Sequence, residues 1–234
     1  IFTELINLKL WQKVIKGRES LEKTKCSLKH HKGGVIAVAE NKEPLKFKTI
    51  LEDNFHFSYP HVFKYKDDLY MIPETFQSKQ LRLYKCTEFP YKWKLEKILL
   101  DMILCDSTIF FIDDYVYIYT SEVRQDGEKC NNYLFRTKDL LNNKLELYKK
   151  NILNKNYRGG GNVFYNNGNL YIPMQPGKPD IKSYGEKLFI YKIISKNNEI
   201  LFEFNNEITK PKGSKGIHHL SNYNFKFFCD LKIS

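Results

Sequence analysis

The feature that most restricts the fold of this chain is an internal repeat. Four segments share one pattern, in which two strands rich in aromatic and β-branched residues flank a short polar turn. The copies are "YPHVFKYKDDLYMIPET" (59–75), "DSTIFFIDDYVYIYTSE" (106–122), "GGNVFYNNGNLYIPMQP" (160–176) and the less regular "HHLSNYNFKFFCDLK" (218–232). Tight hairpins need turn residues that tolerate a positive φ. Such residues form the turns Lys66-Asp67-Asp68, Asp113-Asp114 and Asn166-Asn167-Gly168.

A second pair of strands accompanies these hairpins. It follows the first three as residues 79–101, 131–153 and 185–208, and a further copy at 33–53 precedes the first hairpin. A unit of four strands therefore recurs about every 50 residues, which is the signature of β-propeller blades. An ordinary β-sandwich with coincidental hairpins is the alternative.

We predict an all-β fold, a five-bladed β-propeller of four-stranded antiparallel blades that forms a single domain over 1–234. Blade one is degenerate or incomplete, because residues 16–32 hold no clear hairpin. The N-terminal strand would pair with the last blade and close the ring, which removes an exposed sheet edge. The predicted parts are a closing strand 1–15, blade one 16–53, blade two 59–101, blade three 106–154, blade four 158–208 and blade five 216–234.

Composition narrows the classes of partner. The net charge is +11, but most of the excess is lysine scattered along the chain, which is typical of a solvated surface. No nucleic-acid module motif occurs, so we expect no nucleic-acid partner.

Five cysteines without a CxxC pair favour a reducing, cytoplasmic compartment. The longest apolar runs have about five residues, so we expect no transmembrane segment or signal peptide, and the start at Ile1 indicates a piece of a longer protein.

Polar and aromatic residues cluster where each predicted inner strand begins, in "HFSYPHVF", "LCDSTIFF", "YRGGGNVF" and "GIHHLSNY". In a propeller these strand starts gather at one mouth of the central channel, where a concave site can form. The candidate binding residues are His56, Ser58, Tyr59, His61, Ser107, Thr108, Arg158, Gly160, Gln175, Tyr184, His218 and His219. The other two histidines, His30 and His31, lie in the weak region of blade one.

Carboxylates at strand ends are candidates for acid–base chemistry. Asp106 and Glu74 are the best pair for work at a glycosidic bond, with Glu122 as a further strand-end acid. Solvated carboxylates or pairs with lysine are the alternative. We expect no metal site, since the adjacent His218 and His219 would point to opposite faces of a strand, and we expect no cofactor.

The glycine-rich stretch "YRGGGNVFYNNGNLYIPMQPG" (157–177) does not match a phosphate loop. It lacks GxxxxGK[ST], and its glycines lead into a strand rather than a helix. We expect Gly159 to Gly161 to let backbones approach closely, while Arg158 reaches a ligand anion or a carboxylate. A bulge beside a structural arginine–carboxylate pair is the alternative. Loss of the Arg158 side chain should weaken ligand binding and leave the fold intact.

The motifs quoted above resemble a known family over about residues 33–225. "SYPHVFKYKDDLYMIPE" and "RGGGNVFYNNGNLYIPMQ" are similar to the propeller domain at the N-terminus of plant glucosamine inositolphosphorylceramide transferases. Similar domains occur in bacterial proteins of surface-polysaccharide synthesis, beside glycosyltransferase or formyltransferase domains. The resemblance implies a fold related to five-bladed furanosidase propellers, which include arabinanases, xylosidases and invertases.

The resemblance also bears on catalysis. Furanosidase-type enzymes take their general base from an aspartate at the start of blade one, whereas residues 16–32 contain only Glu19 and Glu22 as acids, and the usual "ADPF" opening is absent. Asp106 falls where such enzymes keep a second, pKa-tuning aspartate. Loss of the first carboxylate would remove base-assisted attack by water.

Three functions remain open at this stage. The first is a glycosyltransferase-associated propeller that binds a sugar or glycan, with membrane association through partner domains. The second is a glycoside hydrolase that uses Glu74 and Asp106, and the third is a protein-interaction scaffold.

A hydrolysis assay separates the second function from the others. If the chain is a hydrolase, it should release sugar from aryl furanosides or pyranosides, and Asp106→Asn should abolish that release. Absence of any release by the unmodified chain would contradict the hydrolase hypothesis.

Overall fold

The computed structural model describes residues 34–39, 46–122, 131–153, 156–183, 185–223 and 226–232, with side chains described up to residue 221. The chain divides into two compact units, Ile1–Ile103 and Leu104–Ser234. The described residues form five antiparallel sheets. Their one short helical segment is a 3-10 turn at Phe76–Ser78. Within this part of the chain, no helix is long and apolar enough to cross a membrane.

The first unit contains two sheets. The smaller pairs β1 (Val35–Ala39) with β2 (Phe47–Glu52). The larger holds four strands in chain order: β3 (Ser58–Tyr65), β4 (Asp68–Glu74), β5 (Leu81–Glu88) and β6 (Lys92–Leu100).

The second unit contains three sheets. The first is β7 (Leu104–Ile112), β8 (Tyr115–Glu122), β9 (Asn132–Thr137) and β10 (Glu146–Lys150). The second is β11 (Arg158–Gly159), β12 (Phe164–Asn166), β13 (Asn169–Gln175), β14 (Lys187–Lys196) and β15 (Glu199–Thr209). The third is β16 (Gly216–Tyr223) with β17 (Lys226–Lys232). The predicted antiparallel four-stranded sheets are confirmed, but the inner strand of the glycine-rich hairpin is broken into β11 and β12, which both pair with β13.

The turns use the residues that the sequence indicated. Lys66, Asp113 and Asn167 have φ values of 54°, 51° and 47°, and Gly168 follows with 73°. Asp113, Asn167 and Gly168 reach this left-handed region at low cost, whereas Lys66 adopts it without that advantage in a two-residue turn with Asp67. The three hairpin turns predicted from the sequence are therefore confirmed.

The cores of the sheets explain the high aromatic content of the chain. The run from Val116 to Ser121 in β8 is buried throughout, because β8 lies between β7 and β9 and is covered on both faces. Tyr119 is fully buried there in one core cluster with Ile172 and Met174 of β13. Each buried side chain of this size contributes about 1.5–3 kcal/mol through removal of apolar surface from water.

A β-bulge interrupts the first strand of three hairpins near its start. In each case two residues on that strand lie opposite one on its partner, as in a common type of bulge. The extra pairs are Tyr59-Pro60 in β3, Asp106-Ser107 in β7 and His218-His219 in β16. Tyr59 and Asp106 have φ values of 44° and 48°, a conformation that costs non-glycine residues about 1–3 kcal/mol.

In the remaining hairpin, which contains β11, β12 and β13, glycines occupy the corresponding position. The Leu220 N–H donates to the Gly160 carbonyl at 2.7 Å, and the Asn162 N–H donates to the Leu220 carbonyl at 3.0 Å. A Cβ on Gly161, which has a φ of 138°, would lie 1.8 Å from the Leu220 carbonyl oxygen. The glycines therefore let the break between β11 and β12 lie directly against the backbone of β16, as the sequence led us to expect.

A matched pair of substitutions tests this backbone contact. Gly161→Ala should lower the free energy of unfolding by about 3 kcal/mol, because the new methyl group would overlap the backbone of Leu220. Gly168→Ala should cost only about 1–2 kcal/mol, since Gly168 also has a positive φ but no atom within 4 Å of an added Cβ. Urea unfolding of both variants measures the difference, and equal losses would contradict the role given to the contact.

Candidate functional site

The second unit brings three of the predicted site residues together. Arg158 lies opposite Gln175 in the β11–β13 ladder, and β13 ends there because Pro176 has no N–H with which to extend it. Asp106 lies in the bulge of β7, where an aspartate tolerates the left-handed backbone. Local geometry thus places a carboxylate, a guanidinium and an amide at one end of these strands.

These three side chains form one polar network, here called the Arg158 cluster (Asp106, Arg158 and Gln175). Arg158 Nη1 forms an ion pair with Asp106 Oδ2 at 3.2 Å, and Arg158 Nη2 donates to Gln175 Oε1 at 3.3 Å. Gln175 Nε2 in turn donates to the carbonyl of Gly159 at 2.6 Å. The orientation of each group is therefore fixed by another member of the cluster or by the backbone.

The cluster is accessible on one side. The Asp106 side chain is 8% exposed, whereas that of Arg158 is 32% exposed. A guanidinium presents five N–H donors in a planar fork, which suits a hydroxyl-rich or anionic ligand. The sequence left open a structural arginine–carboxylate pair beside a bulge as the alternative to a ligand-binding arginine. The structure contains such a pair, and the guanidinium of Arg158 is still partly exposed.

The first unit holds a second group of predicted residues. His56 Nε2 lies 2.7 Å from Ser58 Oγ and 3.5 Å from Glu74 Oε1. The His56 backbone N–H donates to Gln77 Oε1 at 2.7 Å, and the imidazole lies 5.1 Å from the ring of Phe76. Since β3 and β4 pair Ser58 with Glu74, the ladder itself brings the hydroxyl and the carboxylate to the imidazole.

Several other predicted site residues are buried or form hydrogen bonds between strands. Tyr59 and His61 are buried. Ser107 Oγ lies 2.8 Å from Thr120 Oγ1, and Thr108 Oγ1 donates to the Gly161 carbonyl at 3.1 Å. These contacts hold strands together, so any part these residues take in ligand binding stays a prediction.

The histidines of β16 lie in its bulge. His219 Nε2 lies 2.8 Å from Ser221 Oγ, the same histidine–serine spacing as His56 and Ser58. His218 is half-buried, and an added Cβ on Gly185 would lie 3.0 Å from its ring. Tyr184, His30 and His31 lie outside the described residues.

The predicted catalytic pair belongs to both units, Glu74 to the first and Asp106 to the second. Within its own unit, Glu74 lies near the imidazole of His56, and Asp106 is paired with Arg158. Their use as a catalytic pair stays a prediction.

Sequence reasoning missed Tyr157, although it lies inside the quoted glycine-rich stretch. Its hydroxyl donates to Asp180 Oδ2 at 2.7 Å, and its ring is almost completely buried. Burial and, next, the bond to Asp180 raise the pKa of Tyr157 above its ordinary value, so the phenol stays protonated. The only signal in the sequence was a tyrosine directly before Arg158.

A double-mutant cycle tests the ion pair of the Arg158 cluster. Asp106→Asn and Arg158→Ala should be coupled by about 1 kcal/mol in the free energy of unfolding, because the carboxylate is largely buried. The same cycle on Arg136 and Glu146, whose side chains are 30% and 66% exposed, should give a smaller coupling. Additive effects in the first cycle would show that the pair adds nothing to stability.

Comparison with known proteins identifies related chains. A model of the family described as "Glucosamine inositolphosphorylceramide transferase 1, N-terminal" matches residues 23–224. Glucosamine inositolphosphorylceramide transferase 1 of Oryza sativa subsp. indica is 36% identical over 149 residues, which cover 61% of this chain and 20% of that protein. The chain thus spans about a fifth of the length of the curated relatives it matches.

Solved structures of sugar-cleaving enzymes share the fold. The α-L-arabinofuranosidase of Lactobacillus brevis has a TM-score of 0.57 and 14% identity, over 80% of this chain and 70% of that one. The Cellvibrio cellulosa α-L-arabinanase, solved with arabinohexaose, has a TM-score of 0.52 and 15% identity, over 74% and 69%. Together with the four-stranded antiparallel sheets, this likeness confirms the predicted all-β propeller fold. The closing strand 1–15 lies outside the described residues.

Proposed function

We infer the function of this chain from one premise: it belongs to the family of N-terminal domains of glucosamine inositolphosphorylceramide transferase 1. Family and fold make it a carbohydrate-related propeller domain. We propose that it binds a sugar or glycan through the Arg158 cluster, at the predicted channel mouth, and that it accompanies a glycosyltransferase. In this role it would hold a sugar donor or an acceptor for chemistry performed elsewhere.

The observation that carries the proposal is the Arg158 cluster itself. Arg158 is the exposed member, and its guanidinium N–H groups can donate to the hydroxyl oxygens of a sugar, while Asp106 and Gln175 hold the guanidinium in place. Their mutual bonds hold them in place before a ligand arrives, so little side-chain entropy is lost on binding.

The length of the chain supports a separation of sugar binding from sugar transfer between different domains. It corresponds to about a fifth of its relatives, so a fused or partner domain of glycosyltransferase or formyltransferase type would carry the transfer chemistry. The cytoplasmic location and the attachment to a membrane through such a partner belong to the same proposal.

Hydrolysis is the second candidate, because the structural neighbours include glycosidases and Asp106 is a largely buried carboxylate. The ion pair with Arg158 weighs against Asp106 as a proton-transfer group. A guanidinium 3.2 Å from a carboxylate oxygen stabilises the ionised form of that carboxylate. Asp106 is therefore better suited to orient Arg158 than to exchange a proton with a substrate.

Sugar binding can be measured with two probes, glucosamine and arabinohexaose, by calorimetry or ligand-observed NMR. Arg158→Ala should weaken binding of whichever probe binds by about tenfold or more, since a charged hydrogen bond to the ligand is lost. Arg136→Ala is the matched control, because Arg136 has a similarly exposed side chain but pairs with Glu146 on the surface.

Each outcome assigns a function. Binding that is weakened in Arg158→Ala and unchanged in Arg136→Ala supports the proposal. If the chain binds neither probe nor any sugar of a glycan array, the sugar-binding proposal is wrong and a protein-interaction scaffold is favoured. Release of sugar from aryl glycosides that disappears in Asp106→Asn would assign the hydrolase function instead.

A further inference from the structure

The loop between β13 and β14 starts directly after Gln175 of the Arg158 cluster. Its described part, residues 176–183 and 185–186, is here called the β13–β14 loop. At its start, Gly177 packs so closely on Asn156 that an added Cβ would lie 2.5 Å from the Asn156 carbonyl oxygen. At its end, the Gly185 carbonyl accepts a hydrogen bond from the Ile217 N–H at 2.7 Å. The loop is thus fastened at both ends.

Tyr157 fastens the middle of this loop. Its hydroxyl donates to Asp180 Oδ2 at 2.7 Å, across 23 positions of sequence. Its ring packs against Phe189 and Tyr191 of β14, with ring centroids 5.5 Å and 6.1 Å apart. The Tyr157–Asp180 bond therefore joins the loop to the buried core of the second unit.

The same tyrosine also fixes the backbone that carries Arg158. The Tyr157 carbonyl belongs to the peptide unit that joins it to Arg158. That carbonyl accepts hydrogen bonds from Tyr119 Oη at 2.7 Å and Ser121 Oγ at 2.9 Å, both on β8. With its ring, hydroxyl and carbonyl all held, Tyr157 leaves the adjoining backbone of Arg158 little freedom to turn.

We propose that Tyr157 and Asp180 are positioning residues of the Arg158 cluster: their bond holds the β13–β14 loop beside the cluster and fixes the direction of the Arg158 guanidinium. The part that concerns sugar affinity rests on the proposed function. The anchoring of the loop and of the guanidinium does not.

The chemistry of the bond suits a permanent anchor. A phenol that donates to a carboxylate forms a charge-assisted hydrogen bond, which is stronger than a neutral one. Burial and Asp180 both raise the pKa of Tyr157, so the donor proton is retained at ordinary pH. Loss of the Asp180 carboxylate would remove a charged acceptor from a phenol whose ring is buried in the core.

Four variants of the chain separate anchoring from general stability. Tyr157→Phe removes only the hydroxyl, and Asp180→Ala removes the acceptor from the loop side. Asp180→Asn keeps an acceptor oxygen and should behave almost like the unmodified chain. Tyr148→Phe is the matched control, since it removes a hydroxyl that bonds to the Asn198 carbonyl and the Ile200 N–H in the same unit.

Two measurements need no sugar. Amide hydrogen exchange of the non-proline residues of 177–183 and tryptic cleavage after Lys182 should speed up about tenfold in Tyr157→Phe and Asp180→Ala only. The guanidinium NMR signal of Arg158, assigned by its loss in Arg158→Lys, should shift in the same two variants while that of Arg136 stays unchanged. Unchanged exchange and an unchanged Arg158 signal would overturn the proposal. If Tyr157→Phe fails to fold, Asp180→Ala decides alone.

A third measurement links the anchor to binding of glucosamine or arabinohexaose. Tyr157→Phe should weaken binding severalfold, but should add nothing in an Arg158→Ala background, because it acts through Arg158. Fully additive losses would overturn the positioning role. If the unmodified chain binds neither probe nor any sugar of a glycan array, the proposed function fails, while the two sugar-free measurements still decide whether Tyr157 and Asp180 hold the loop and Arg158.

Discussion

The second unit depends on one backbone contact, the approach of Gly161 to Leu220. Three sheets meet there: β16 bonds to Gly160 and Asn162 on either side of the contact, and Thr108 of β7 donates to the Gly161 carbonyl. A side chain at Gly161 would overlap the backbone of Leu220, so these strands could not come as close with another residue. The contact fixes where the inner strands begin, and the Arg158 cluster is built on those strand starts.

The β-bulges change the direction of side chains near the starts of these strands. A regular strand would alternate its side chains between two faces, whereas a bulge re-aims them and bends the strand, commonly next to functional residues. In β7 the bulge holds Asp106 in a left-handed conformation and directs its carboxylate to Arg158. The left-handed backbone of Asp106 costs conformational energy, which the surrounding interactions must offset. Such strained residues are common at functional sites.

Tyr157 connects the site to the core. It is buried among aromatic rings, yet its carbonyl bonds to β8 and its hydroxyl to the β13–β14 loop. The rigidity of the Arg158 cluster therefore derives from packing as much as from its own polar bonds. This rigidity favours binding, because a flexible arginine side chain would lose conformational entropy when a ligand orders it. The same packing explains why a carbohydrate-related domain carries so many tyrosines and phenylalanines away from its candidate site.

The sequence by itself determined the class of fold, the hairpins and their turns, since alternating apolar residues and residues that tolerate a positive φ act over a few positions. It also pointed to Asp106 and Arg158, because polar residues recur where inner strands start, and to Gln175 at the end of the neighbouring strand. Only the tertiary structure decided that these three side chains bond to one another, that Ser107 and Thr108 serve the frame, and that Tyr157 holds Asp180. Such pairings join residues 13 to 53 positions apart. Bulges, strand register and backbone approach decide them, and no local pattern of residues encodes these distances.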